Sequence, residues 1–169
     1  MRELQKRIEM RAAARTAQVT SYELDEWESE VMPPDRKVTS VLELTEYMLQ
    51  RSGIVRGMRV LDLGCGTGEA SFWIAKLVGP SGLVVGVDQS AEAIDLAERR
   101  ATLAGQCYWT RFVVADPSSF VSHEPFDAVV ARLTSLRRRK GVATSSRLFS
   151  FVRPGGVVVL VSGNPSPVR

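Results

Sequence analysis

Three observations predict a doubly wound α/β domain, with a mostly parallel five-stranded sheet and helices on both faces. The first is a set of five short runs rich in Val and Leu: MRVLDLG (58–64), GLVVGVD (82–88), RFVVAD (111–116), FDAVVARL (126–133) and GVVVLVS (156–162). The second is that helix-forming stretches lie between most of them. The third is a glycine-rich turn directly after the first run. Continuous apolar runs of this length, bounded by Gly, Pro or Asp, read as strands buried on both faces. Strand alternating with helix makes the sheet parallel and its crossovers right-handed.

The elements follow in chain order. Residues 1–18 are rich in Ala, Arg, Glu and Gln without proline, and read as a helix. Leu24, Trp27 and Val31 share the spacing of one helical face in the acidic stretch from Glu23 to Glu30, and Pro33–Pro34 ends it. A third helix is expected over Lys37–Gln50, stopped before Gly53. Residues 1–54 therefore form an expected helical extension over a domain of residues 55–169. Inside that domain, helices are expected over Glu69–Val78, Ala91–Ala104 and around Val142–Val152.

Length and composition narrow the class. At 169 residues, 44% apolar and 24% charged, the chain suits one globular domain and excludes collagen-like, coiled-coil and wholly disordered classes. Cys65 and Cys107 cannot make a disulfide scaffold, and no apolar run approaches the roughly 18 residues that span a membrane. A cytoplasmic chain is expected. The net charge of +3 is unevenly spread, since the 38 residues after Ala131 hold eight Lys or Arg and no Asp or Glu. Such an end can attract phosphate, but no aromatics are interleaved to stack on bases. A solvated face around Arg137–Lys140 is the favoured reading, and nucleic acid the less favoured partner.

The chemistry concentrates at VLDLGCGTG (60–68). Gly64, Gly66 and Gly68 let the backbone turn sharply and approach a ligand, and the amides of the following helix start face it. Asp88 ends the next strand, twenty residues past Gly68, where a carboxylate can accept both hydroxyls of a ribose. A nucleoside ligand is therefore expected. A dinucleotide fingerprint fails, because counting from Gly64 puts Glu69 at its last glycine position. Glu69 would also repel a pyrophosphate at the helix start. Asp62 suits a cationic amino group instead.

VLDLGCGTG, VVGVD, VVAD, FDAVV and VRPGGVVVL, in this order and spacing, resemble the motifs of class I S-adenosylmethionine-dependent methyltransferases over roughly residues 55–162. The resemblance implies a Rossmann-like sheet of order 3-2-1-4-5 and S-adenosyl-L-methionine as cofactor. It implies that Asp62 and the loop Gly64, Cys65, Gly66 and Gly68 hold the methionine moiety. Asp88 would hold the ribose, with Gln89 beside the adenine; Asp116 would accept from the adenine amino group, with Pro117 nearby. Ala131 and Arg132 would approach the methionine end. No catalytic residue and no metal ligand is assigned.

The family sheet has seven strands, whereas GNPSPVR after the fifth run does not read as strand. The domain is thus expected to stop at strand five, leaving that strand's outer edge open to self-association into a homo-oligomer. The segment TSLRRRKGVATSS (134–146) lacks the histidine and Leu-Pro pair of many small-molecule members. Ala131-Arg132-Leu133-Thr134 replaces the signature of base amino methylation. The leading expectation is a methyltransferase acting on a small-molecule acceptor, with the N-terminal helices as a lid. A partner-dependent, non-catalytic cofactor-binding module and an RNA-associated methyltransferase using residues 132–153 are the alternatives. Asp127 and Gly155–Gly156 are expected to be structural, Cys65 a small filler, and His123 a surface loop residue. Trp73 and Trp109 are expected to pack, and Trp27 is a candidate substrate cap.

Overall fold

The computed structural model describes residues 17–23, 41–132 and 145–162. The expected helices over residues 1–16 and 24–31, Trp27, the basic run Arg137–Lys140 and the tail after Ser162 lie outside them. The described elements are β1 (Gln18–Glu23), α1 (Val41–Arg51), β2 (Arg59–Leu63), α2 (Glu69–Val78), β3 (Leu83–Asp88), α3 (Ala91–Leu103), β4 (Thr110–Val114), β5 (Phe126–Arg132), α4 (Ser145–Phe149) and β6 (Val152–Ser162).

All strand pairings are parallel, and the sheet order is β1-β6-β5-β2-β3-β4. The five expected strands take the expected 3-2-1-4-5 arrangement. In β2, β3, β5 and β6 alternate residues bury on opposite faces. Val60, Val84, Ala128, Val130, Val157 and Val159 meet Ile74, Ala75 and Val78 of α2 on one side, together with Met48 and Leu49 of α1. Leu61, Leu63, Val85, Val87, Val129 and Val158 meet Leu148 and Phe151 on the other. This two-sided burial is why the strands read as unbroken apolar runs.

The sixth strand corrects two expectations. Residues 18–23 neither end a helix nor begin one; they pair in parallel with Val157–Ser162, from Gln18 opposite Val157 to Glu23 opposite Ser162. Val19, Thr20 and Tyr22 are β-branched or aromatic and suit a sheet better than a helix. The outer edge of β6 is therefore covered by the chain itself, and the open strand-five edge expected to drive homo-oligomer formation is not there. The N-terminal extension is likewise not wholly helical, since this part of it belongs to the sheet. At the other end of β6 the Pro154–Gly155–Gly156 segment forms an irregularity: Phe126 pairs with Val152, but Ala128 already pairs with Val157.

The N-terminal ends of β2, β5 and β6 are tied by Asp127, as expected of a structural residue. Its Oδ2 accepts the Arg59 amide at 2.7 Å, and its Oδ1 accepts from Arg153 Nε at 2.6 Å. Arg59 also pairs with Glu124 and lies over the Phe126 ring, 4.7 Å from its centre. Partial burial works against charge on Asp127, but the Arg153 hydrogen bond and then the Arg59 amide outweigh it and hold the carboxyl below its usual range.

Two outcomes are expected. Asp127→Ala should lower stability by roughly 1–3 kcal/mol in denaturant titration at pH 7. Because the folded carboxyl ionises more readily than the unfolded one, this contribution is present above about pH 4 and is lost as pH falls through the folded pKa. The gap between parent and variant should therefore shrink at pH 3. Separately, Thr20→Pro removes a strand donor and should free the β6 edge. Light scattering should show concentration-dependent growth for this variant beyond that of the parent.

Candidate cofactor-binding site

The C-terminal ends of β2, β3, β4 and β5 lie side by side, with Leu63 opposite Val87 and Ala131, and Asp88 opposite Val114. The chain winds one way from β2 to β4 and the other way through β5 and β6, so the sheet's switch point falls between β2 and β5. A crevice outside the strand ends at such a point is where this architecture binds ligands.

The glycine loop rises from β2 at this place. Gly64 and Cys65 both donate their amides to the Val87 carbonyl, at 2.8 and 3.1 Å, which hangs the loop on β3. Gly66 (φ 54°) and Gly68 (φ 88°) take left-handed conformations, and Gly68 leads directly into α2. Space differs at the two glycines. A Cβ on Gly68 would stand 2.8 Å from Phe72 Cζ and 3.3 Å from Ala97 Cβ, so a side chain there would have to displace the Phe72 ring as well as take a left-handed backbone. A Cβ on Gly66 would meet nothing within 4 Å. The chain leaves room above Gly66, as a loop that admits a ligand must.

Asp88 governs this loop. Its Oδ2 accepts the Gly66 amide and its Oδ1 the Ser90 amide, both at 3.0 Å. The two bonds fix the carboxylate plane, while a carboxylate's four acceptor positions leave capacity for two more donors. Ser90 in turn caps α3 by accepting the Ala93 amide at 3.2 Å. Asp62 lies deeper, 4% exposed, and accepts from the buried Ser71 Oγ of α2 at 2.6 Å. Cys65 is buried between these acids; burial pushes its thiol up, and the charges of Asp62 and Asp88 push it further. The thiol stays neutral and fills space, as expected.

The remaining expected residues fall nearby with different status. Gln89 is exposed beside Asp88. Asp116 follows β4 and accepts the Ser118 amide and hydroxyl on Oδ1, both at 2.8 Å, shaping the turn that holds half-buried Pro117. Ala131 is fully buried among the core side chains under the sheet, so only its backbone reaches the strand ends. His123 is exposed, and Trp109 packs with its Nε1 on the Ala75 carbonyl at 3.0 Å. Among the described residues no group of three or more His, Cys, Asp or Glu is placed to hold a metal. None of their helices is long and apolar enough to cross a membrane. Ser71, Ser90 and Arg100 were not expected. Ser90 carries a sequence signal, a serine just before a helix-forming run. Ser71 and Arg100 carry none: Ser71 meets Asp62 nine residues back across the glycine turn, and the partners of Arg100 lie 31 and 33 residues away.

The family profile described as "Methyltransferase domain" matches residues 54–167. The chain belongs to that methyltransferase-domain family. A Thermoplasma acidophilum protein named "probable cobalt-precorrin-6B C(15)-methyltransferase (decarboxylating)" is 34% identical over 101 residues, covering 60% of this chain and 48% of its own. Phosphoethanolamine N-methyltransferase 1 of Arabidopsis thaliana is 33% identical over 132 residues, covering 76% of this chain and 26% of its own. This methyltransferase domain thus spans less than half of these relatives. The S-adenosylmethionine-dependent methyltransferase of Thiobacillus denitrificans, solved with S-adenosyl-L-homocysteine, superposes with a TM-score of 0.57 at 29% identity, over 70% of this chain and 46% of that one. That of Geobacter sulfurreducens, solved with the same ligand, gives 0.58 at 25% identity, over 75% and 51%.

The two glycines of the methyltransferase domain should separate in mutagenesis. Gly66→Ala should cost about 1–2 kcal/mol of stability, the strain of a left-handed residue with open space around it. Gly68→Ala should cost more, since the same strain is joined by the Phe72 overlap. Thermal unfolding of both variants beside the parent checks the order.

Proposed function

We propose that the chain is an S-adenosyl-L-methionine-dependent methyltransferase acting on a small-molecule acceptor. The observation that carries this reading is the Asp88 carboxylate, oriented by the Gly66 and Ser90 amides at the switch point, below a loop with open space at Gly66. The donor set fits the cofactor. Asp88 retains acceptor capacity for the ribose hydroxyls, and the carboxylates of Asp62 and Asp88 make the loop's base negative, which suits the cofactor's sulfonium and amino charges. In this reading Gly64, Cys65, Gly66 and Gly68 line the methionine side through their backbone. Gln89, Asp116 and Pro117 flank the adenine side at the ends of β3 and β4.

The bound cofactor supplies the electrophilic methyl group. The chain's own work is to bind, orient and exclude water, so a dedicated general base is not required. The neutral, buried Cys65 thiol does not act as a nucleophile. Support for a small-molecule acceptor comes from the names of two relatives, which act on phosphoethanolamine and on a cobalt-precorrin.

Calorimetric titration with S-adenosyl-L-homocysteine tests the reading. Asp88→Ala should weaken binding on the order of a hundredfold or more, because it removes two charge-assisted hydrogen bonds of about 1.5–3 kcal/mol each. NADH should not compete. Undiminished binding by Asp88→Ala would remove the site assignment.

A further inference from the structure

The glycine loop is also held by Arg100, in the last turn of α3. Its Nη1 donates to the Thr67 carbonyl at 3.0 Å and to Glu69 Oε1 at 2.6 Å, with Thr67 Oγ1 at 3.3 Å. The guanidinium also lies over Phe72, 5.0 Å from the ring centre. Its acceptors stand on the two residues that flank Gly68, where the chain turns from loop into helix. One guanidinium therefore bridges both sides of the turn.

The charge arrangement gives this contact its purpose. Glu69 occupies the first turn of α2, where a lone carboxylate would compete with any anionic ligand group for the helix's N-terminal amides. Pairing with Arg100 engages that carboxylate with a cation. The ion pair is partly exposed, at 35% and 39% for the two side chains, and such a pair adds little stability by itself. The bond to the Thr67 carbonyl fixes backbone instead, which makes the contact geometric more than energetic. Helix α3 also carries Ser90 at its other end, bonded to Asp88. A single rigid helix thus sets both the ribose-side carboxylate and the loop above it.

We propose that Arg100 is a positioning residue for the cofactor loop, acting through Thr67 and Glu69 without touching the cofactor. The proposal rests on the cofactor reading of Asp88. Lysine cannot substitute fully, because only the planar guanidinium reaches these acceptors while stacking on Phe72.

The test compares the parent, Arg100→Met, Arg100→Lys and Asp88→Ala by titration with S-adenosyl-L-homocysteine, thermal unfolding and amide exchange. Arg100→Met should bind about tenfold more weakly, and Arg100→Lys should lie between it and the parent. The Tm of Arg100→Met should stay within about 4 °C of the parent, the shift expected for a loss near 1 kcal/mol in a domain of this size. The Gly68 and Phe72 amides, bonded to the Cys65 and Gly68 carbonyls, should exchange faster in Arg100→Met, with the core amides of Leu61 and Val84 unchanged. Parent-like binding by Arg100→Met, with Asp88→Ala impaired, overturns the positioning role and leaves the cofactor reading intact. A parent that fails to bind overturns both. Faster exchange throughout the core alongside weaker binding marks a general structural role and also overturns the proposal. If Arg100→Met does not fold, Arg100→Lys decides, and parent-like binding by it overturns the need for the guanidinium.

Discussion

The site depends on one carboxylate held by two backbone amides. Asp88 receives the Gly66 amide from one element and the Ser90 amide from another, so a single side chain joins the glycine loop, the end of β3 and the start of α3. The join is possible because Gly64 and Cys65 already hang on the Val87 carbonyl, which brings the loop down to the β3 end. Asp62 performs the matching task one strand over, binding Ser71 and so pinning α2 against β2. Two acids at the ends of adjacent strands, each tied to a different helix, define the cradle before any ligand arrives.

The sheet separates its polar chemistry by end. At the N-terminal end of the strands, Asp127 is matched by Arg153 and the Arg59 amide, and its charge is spent on holding β2, β5 and β6 in place. At the C-terminal end, Asp88 is matched by backbone amides and, among the described residues, by no ion pair. Neutral donors orient a carboxylate without cancelling its charge, so Asp88 keeps a charge that Asp127 shares with Arg153. The Cys65 thiol resists ionisation first because it is buried, and the charges of Asp62 and Asp88 add to that resistance.

Much of this was legible in the sequence where local chemistry and architecture agree. Glu69–Val78 is helical over the expected residues, because the glycine before it and the apolar spacing within it point the same way. The five central strands were visible because two-sided burial leaves each of them continuously apolar. Residues 18–23 were misread because an edge strand has a polar side, and QVTSYE lies between Arg-rich and Glu-rich stretches that favour helix. Asp88 could be found from its spacing to the glycines, which the architecture fixes. Arg100 could not, since its bonds to Thr67 and Glu69 depend on how α3 lies across α2. Ala131 was placed by its position along β5, but its side chain turns into the core, a matter of strand parity and not of spacing.

The pairing of β1 with β6 joins residues some 139 positions apart, Gln18 with Val157 through Glu23 with Ser162. Closing so long a loop costs more entropy than joining the central strands, which favours making this contact after they have assembled. During synthesis residues 18–23 must wait, unpaired, until residues 157–162 have been made. An early segment and a late one are thereby locked together on the far side of the sheet from the strands that carry Asp62 and Asp88, so the fold's completion and the cofactor cradle rest on separate seams.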